Sequence, residues 1–139
     1  EDIPQFGIRK GDNVVELHIH HGEKLTPEAV QSSLAQGKAF LRTHFPDYHY
    51  TYFTCHSWLL DNKLREYLPE ESNIIRFGSL FHKVEAEDSN ALLRFLFRWD
   101  TNEENLASAV CKTELHRKIK AAVLSGETFH EVLGVLPAE

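Results

Sequence analysis

The 139-residue sequence contains no methionine and only two cysteines, Cys55 and Cys111. Two thiols do not make a disulfide scaffold and offer no paired zinc-ligand spacing, so both are expected free in a reducing, cytoplasmic compartment. Long apolar runs are also missing. Nothing approaches the ~18–20 residues of a membrane-spanning helix, and no apolar block of a signal peptide opens the chain, so no membrane association is expected. Positive charge is in deficit, with 15 Lys and Arg against 21 Asp and Glu and a net charge of −6. That balance excludes the clustered basic surface that nucleic acid requires. The first residue is glutamate, which points to a processed product or an excised piece of a longer chain.

What is present suits one soluble core. Hydrophobic residues make up 42% of the chain and aromatics 11%, enough to exclude wholesale disorder. No repeat, low-complexity tract or interdomain linker interrupts it, and the length fits a single domain over residues 1–139.

Residues 14–20 alternate, with Val15, Leu17 and Ile19 on one face and Glu16, His18 and His20 on the other, which predicts a strand. Thr26-Pro27-Glu28 then supplies a cap, a proline in the first turn and an acid near the helix start. Val30, Leu34, Gly37, Leu41 and Phe45 share the face of a helix over 26–45, ending before Pro46. The aromatic stretch 48–60 predicts a long strand, and strand, helix, strand with short connections predicts a right-handed βαβ unit. Short helices follow at 61–67, capped by Asp61 and stopped by Pro69, and at 72–81, capped by Ser72. A hairpin is predicted from Lys83 to Trp99 around Asp88-Ser89-Asn90, with Leu93, Phe95, Phe97 and Trp99 on one face. Thr113 caps a last helix with Gly126 near its end. The order β-α-β-α-α-β-β-α describes an α/β chain with a mixed sheet.

Four features carry chemistry. Glu16, His18 and His20 share a strand face. Such a face lines a polar cleft, and with His56 it could hold a divalent metal, the alternative reading of these histidines. In Cys55-His56-Ser57-Trp58 successive residues face opposite ways, so Cys55 is expected to be a small core hydrophobe and His56 the polar candidate. Ser72-Asn73 opens a helix, where capping and anion binding are compatible. Tyr48, Tyr50 and Tyr52 share a strand face, as packing or as phenols lining a cleft.

Several blocks together resemble a known family: Glu16-Leu17-His18-Ile19, Leu25-Thr26-Pro27-Glu28-Ala29, Ser33-Leu34-Ala35-Gln36, His44-Phe45-Pro46, Ser57-Trp58-Leu59-Leu60-Asp61, and Ser72-Asn73-Ile74-Ile75-Arg76-Phe77. With Leu115-His116-Arg117-Lys118-Ile119 and Gly126, the likeness spans roughly residues 10–135 and is to the GNAT-like C-terminal domain of bacterial acyltransferase-like proteins. The resemblance implies an acyl-CoA N-acyltransferase fold, preceded in the longer protein by an N-terminal domain. Acyl-CoA is then the implied cofactor and a small-molecule amine the acceptor. The catalytic residues would be Glu16, His18 and His56, with His20 and Ser57 toward the substrate. Gly22, Thr26, Ser72 and Asn73 would face the cofactor.

Two departures accompany this likeness. The stretch from His20 to Pro27 carries a single glycine, an acid and a proline without an N–H, where the family places a glycine-containing phosphate loop. Phe81 stands near the position of the general-acid tyrosine of many relatives and has no hydroxyl. These departures predict weak acyl transfer from acetyl-CoA and a preference for another ligand. The competing reading is a non-catalytic module that packs on an N-terminal domain or on a second copy as a homodimer.

Overall fold

The computed structural model describes residues 3–19 and 24–138. Strand β1 (Val15–Glu16) leads to α1 (Pro27–His44), and β2 (Tyr52–Ser57) runs parallel to β1. Two 3-10 turns follow, Trp58–Leu60 and Asn62–Glu66, and then α2 (Asn73–Ser79) and β3 (His82–Asp88). The chain continues through α3 (Leu92–Leu96), a 3-10 turn at Leu106–Ser108, α4 (Glu114–Leu124) and β4 (His130–Pro137). The four strands form one mixed sheet in the order β1-β2-β4-β3.

Local chemistry explains the elements that match expectation. Thr26 Oγ1 accepts the Ala29 N–H at 3.2 Å and Pro27 occupies the first turn of α1. Thr113 Oγ1 accepts the His116 N–H at 3.1 Å, and Gly126, with φ of 100°, follows the end of α4. That φ is costly for any residue with a side chain. Asp61 Oδ1 accepts the Lys63 N–H at 3.0 Å and starts the Asn62–Glu66 turn.

Other expectations are corrected. Pairing of β1 spans two residues, not 14–20, although Leu17 N–H still donates to Thr54 O at 2.7 Å. Strand β2 ends at Ser57, because Ser57 Oγ accepts the Leu59 N–H and turns the chain into a 3-10 helix whose three residues are all buried. Ser72 stands at the N-cap of α2 without a side-chain capping bond. The second arm of the expected hairpin is the helix α3. Adjacent Leu92 and Leu93 are both fully buried, which alternation forbids and a helical turn permits, while Trp99 lies 77% exposed. The partner of β3 is instead β4, a strand not expected from sequence, which takes the centre of the sheet between β2 and β3.

The sheet has two unlike faces. Cys55 and Val132 point toward the main core with Leu60, Phe77, Phe81, Ile119 and Phe129. Gly134 belongs to this core face. A Cβ there would overlap Leu60 Cδ2 and approach Phe81 Cβ to 2.8 Å, so packing against β4 requires glycine. On the outer face Val135, Leu133, Tyr52 and Val84 are covered by Ile3, Phe6 and Ile8 of the N-terminal arm. No described helix is long and apolar enough to cross a membrane.

Candidate functional site

The outer face continues past the N-terminal arm as a polar region. Glu16 is the register partner of Thr54, and paired residues of a parallel ladder project to the same side, so both share this face with His56. His18 Nε2 lies 3.3 Å from Glu16 Oε2, both side chains being largely exposed. Leu17 and Ile19 pack against the core instead. The alternation read at Glu16–Ile19 therefore holds although the ladder is short.

His56 is half exposed and sits between two carboxylates. Its Nε2 lies 3.2 Å from Glu87 Oε1 on β3, and its Nδ1 lies 3.9 Å from Glu131 Oε2 on β4. Ser89 Oγ donates to the other Glu131 oxygen at 2.9 Å and holds that carboxylate in place. With Nε2–H donating to Glu87, the neutral ring keeps Nδ1 as its proton acceptor. A proton taken there creates an imidazolium flanked by two carboxylates. Glu87 and Glu131 were not singled out from sequence. The first required the β3 register, and the second lies in the strand that sequence reading missed.

The other expected residues fall elsewhere. Ser57 caps the 3-10 turn from the core side of β2. Ser72 and Asn73 open α2, whose Ile75 and Phe77 belong to the main core, so they lie on the side of the sheet opposite His56. The Thr26 hydroxyl is engaged in capping α1. His20 and Gly22 lie outside the described residues. Cys55 is 1% exposed. Phe81 is core and meets Phe77 edge to face with ring centroids 5.2 Å apart. Tyr48 donates to Val14 O at 2.6 Å, tying the approach to β2 to that of β1. Among the described residues no group of three His, Cys, Asp or Glu side chains is placed to hold a metal ion. Of the histidines in the metal reading, His18 lies beside Glu16 and His56 between Glu87 and Glu131, and His20 is outside the described residues.

Pairing between β1 and β2 stops beside this face among the described residues. Thr54 O is the last β2 group bonded to β1 among the described residues, through Leu17 N–H. Alternation along β2 directs the His56 N–H and C=O to the same edge as Thr54 O. Residues 55–57 thus pair with β4 on one side, and among the described residues no strand pairs with them on the other. On the core side, Arg76 and Phe77 of α2 meet Leu25, Pro27 and Gln31 at the start of α1 around a crevice of about 80 Å³.

A mixed sheet built on a parallel β1-α1-β2 unit defines the class, and comparison with known proteins agrees. The GNAT-like C-terminal domain model matches residues 2–136, and the chain belongs to that family. Among solved structures, an acyltransferase in complex with CoA and 10C-teicoplanin superposes with a TM-score of 0.82 at 28% identity, covering 94% of this chain and 42% of that one. An acyltransferase in complex with decanoyl-CoA gives 0.81 at 29% identity, covering 93% and 41%. One in complex with decanoyl-CoA and teicoplanin gives 0.77 at 28% identity, covering 89% and 40%. The chain therefore spans about two fifths of the length of these acyltransferases. No curated protein matches it.

Proposed function

We propose that this chain is an acyl-CoA-binding acyltransferase domain that passes an acyl group to an amine. The observation that carries the reading is the end of β1–β2 pairing at Thr54 among the described residues, next to His56 and its two carboxylates. The side of residues 55–57 away from β4 fits an extended, amide-bearing chain such as the pantetheine arm, through the His56 backbone N–H and C=O. Arg76 beside the first turn of α1 is the described cation best placed for the phosphates, with the family's loop position falling on residues 20–23. Bound acyl-CoA supplies a thioester carbonyl that an amine can attack, with the CoA thiol leaving.

The protein's own groups handle the proton. His56 accepts it at Nδ1, Glu87 orients the ring through Nε2–H, and Glu131 stabilises the resulting charge. The Glu16–His18 pair on the adjoining strand lies on the same face and positions the incoming amine. The solved acyltransferases are more than twice as long as this chain, which supports an N-terminal domain that completes the acceptor side. The two free thiols support a reducing, cytoplasmic setting.

Calorimetric titration with decanoyl-CoA, followed by release of CoA thiol in the presence of a primary-amine panel, tests the reading. Saturable binding is expected, with His56→Gln lowering turnover by about 10²–10⁴-fold and leaving the Kd for decanoyl-CoA unchanged. No saturable binding, or full turnover in His56→Gln, overturns it.

A further inference from the structure

A cavity of about 760 Å³ lies in the segment that joins β3 to β4, within the roughly 300–1,000 Å³ of small-molecule sites. Phe95, Phe97 and Val110 give it apolar walls, and Thr101, Lys112 and His116 are among its polar lining. The chain's own bonds hold those walls. Asn102 Oδ1 accepts the Glu104 and Asn105 N–H groups at 2.9 and 3.1 Å, and Asn105 Nδ2 donates to Asp100 O at 2.9 Å. From α4, Lys120 Nζ donates to Ala107 O and Ala109 O at 3.0 and 2.9 Å. A ligand entering here meets walls that are already ordered, which lowers the cost of binding.

The polar groups select the kind of ligand. The Lys112 N–H donates to His116 Nδ1 at 3.1 Å, which places the ring proton on Nε2. Burial first, and then the Lys112 and Arg117 charges, hold His116 below its ordinary range, so the ring is neutral at neutral pH. Arg98 is paired with Asp100 at 3.3 Å, whereas among the described residues no carboxylate pairs with Lys112. Lys112 is thus the uncompensated charge of the lining, joined through its own backbone to a neutral N–H donor. Thr101 is 7% exposed, yet its hydroxyl bonds to no described group. Among the described residues no sealed side-chain oxygen lacks a partner, so the Thr101 oxygen is reached from the cavity that Thr101 lines.

We propose that this cavity binds an aromatic carboxylate that carries a second polar group. The carboxylate accepts from Lys112 Nζ and from the His116 Nε2–H. The aromatic body lies against Phe95, Phe97 and Val110, and the second polar group bonds to the Thr101 hydroxyl. One cation beside one neutral donor matches a monoanion better than the doubled charge of a phosphate monoester. The Phe97 and His116 rings meet with centroids 5.0 Å apart, and such a ring-lined wall favours a planar aromatic body over an alkyl chain. The inference is independent of the His56 reading.

Calorimetric titration of the whole chain with para-hydroxycinnamate tests it. Saturable binding at one site is expected, with cinnamate about fivefold weaker for want of the hydroxyl, and decanoate weaker than both. The uncharged para-hydroxycinnamamide should bind about tenfold more weakly than the acid. Lys112→Gln, at an exposed position, should weaken the acid about tenfold and leave the amide unchanged. Thr101→Val should erase the difference between para-hydroxycinnamate and cinnamate. Neither His56→Gln nor saturating decanoyl-CoA should alter the Kd for the acid. No saturable binding, equal affinity for acid and amide, or displacement of the acid by decanoyl-CoA overturns the proposal. So does a dimer that Val110→Asp dissociates and that binds no acid, a result that gives this face to a second copy.

Discussion

The Cys55 thiol is buried on the core side of β2, and burial first, then the Glu16 charge, pushes its pKa from 9.0 up to about 12. Tyr67 is pushed from 10.0 to about 12, by burial first and then by its hydrogen bond to Glu127. Both groups bind their proton more tightly in the folded state than in the unfolded chain. Their contribution to stability is therefore complete below about pH 9 and is lost as the pH rises toward 12. Urea midpoints should fall through that window, and Cys55→Ala with Tyr67→Phe should flatten the fall. A midpoint constant from pH 9 to 12 would show that neither group is held as described. The opposite facing of Cys55 and His56 was legible from sequence, because alternation along a strand needs no knowledge of neighbours. The carboxylates around His56 were not. They depend on which strands adjoin β2, and that is a long-range fact.

Caps and breakers made the helices legible. Thr26-Pro27 and Thr113 mark the starts of α1 and α4 through hydroxyls that accept backbone N–H groups. Ser72 has the same sequence signature and no such bond, so the two sites should respond differently to the same change. Thr26→Ala should cost about 0.5–2 kcal/mol in chemical denaturation. Ser72→Ala should cost less than about 0.5 kcal/mol, the range of an ordinary surface substitution. Equal losses at the two positions would contradict the capping geometry. The errors at this scale also have a physical source. Leu93, Phe95, Phe97 and Trp99 alternate in sequence, but α3 buries Leu92 and Leu93 and leaves Phe95 and Trp99 largely outside. The run from Val132 to Leu136 is short, apolar and bounded by Pro137, a pattern that fits a buried strand or a buried helical turn equally well. Only its pairing on both edges decides the matter.

The last described strand, β4, is an interior strand of the sheet, paired with β2 on one side and β3 on the other, so the sheet closes around it. Its outer face is sealed by an arm from the other end, where Ile3 and Ile8 exchange backbone bonds of 2.7 and 3.1 Å over Val135. These two parts of one small cluster differ in what their loss can do. Val135 is fully buried in a strand paired on both sides, and no local motion relieves a cavity there. Ile8 is nearly as buried, but its segment bonds to itself and packs over the sheet without joining its ladder, the kind of unit that opens locally while the sheet stays folded. A large-to-small change in a core ordinarily costs more as more carbon is removed, about 2–5 kcal/mol for isoleucine to alanine. In this molecule the order should reverse. The cost of Ile8→Ala is capped by the free energy of docking the arm, whereas Val135→Ala acts on the whole cooperative unit. Ile8→Ala should therefore lower the urea midpoint less than Val135→Ala, while hydrogen exchange at the Ile3 and Ile8 amides rises sharply and that of β2 and β4 does not. If Ile8→Ala proves the more destabilising of the two, with exchange rising across the sheet, then the arm is part of the cooperative core and not a cover laid over it.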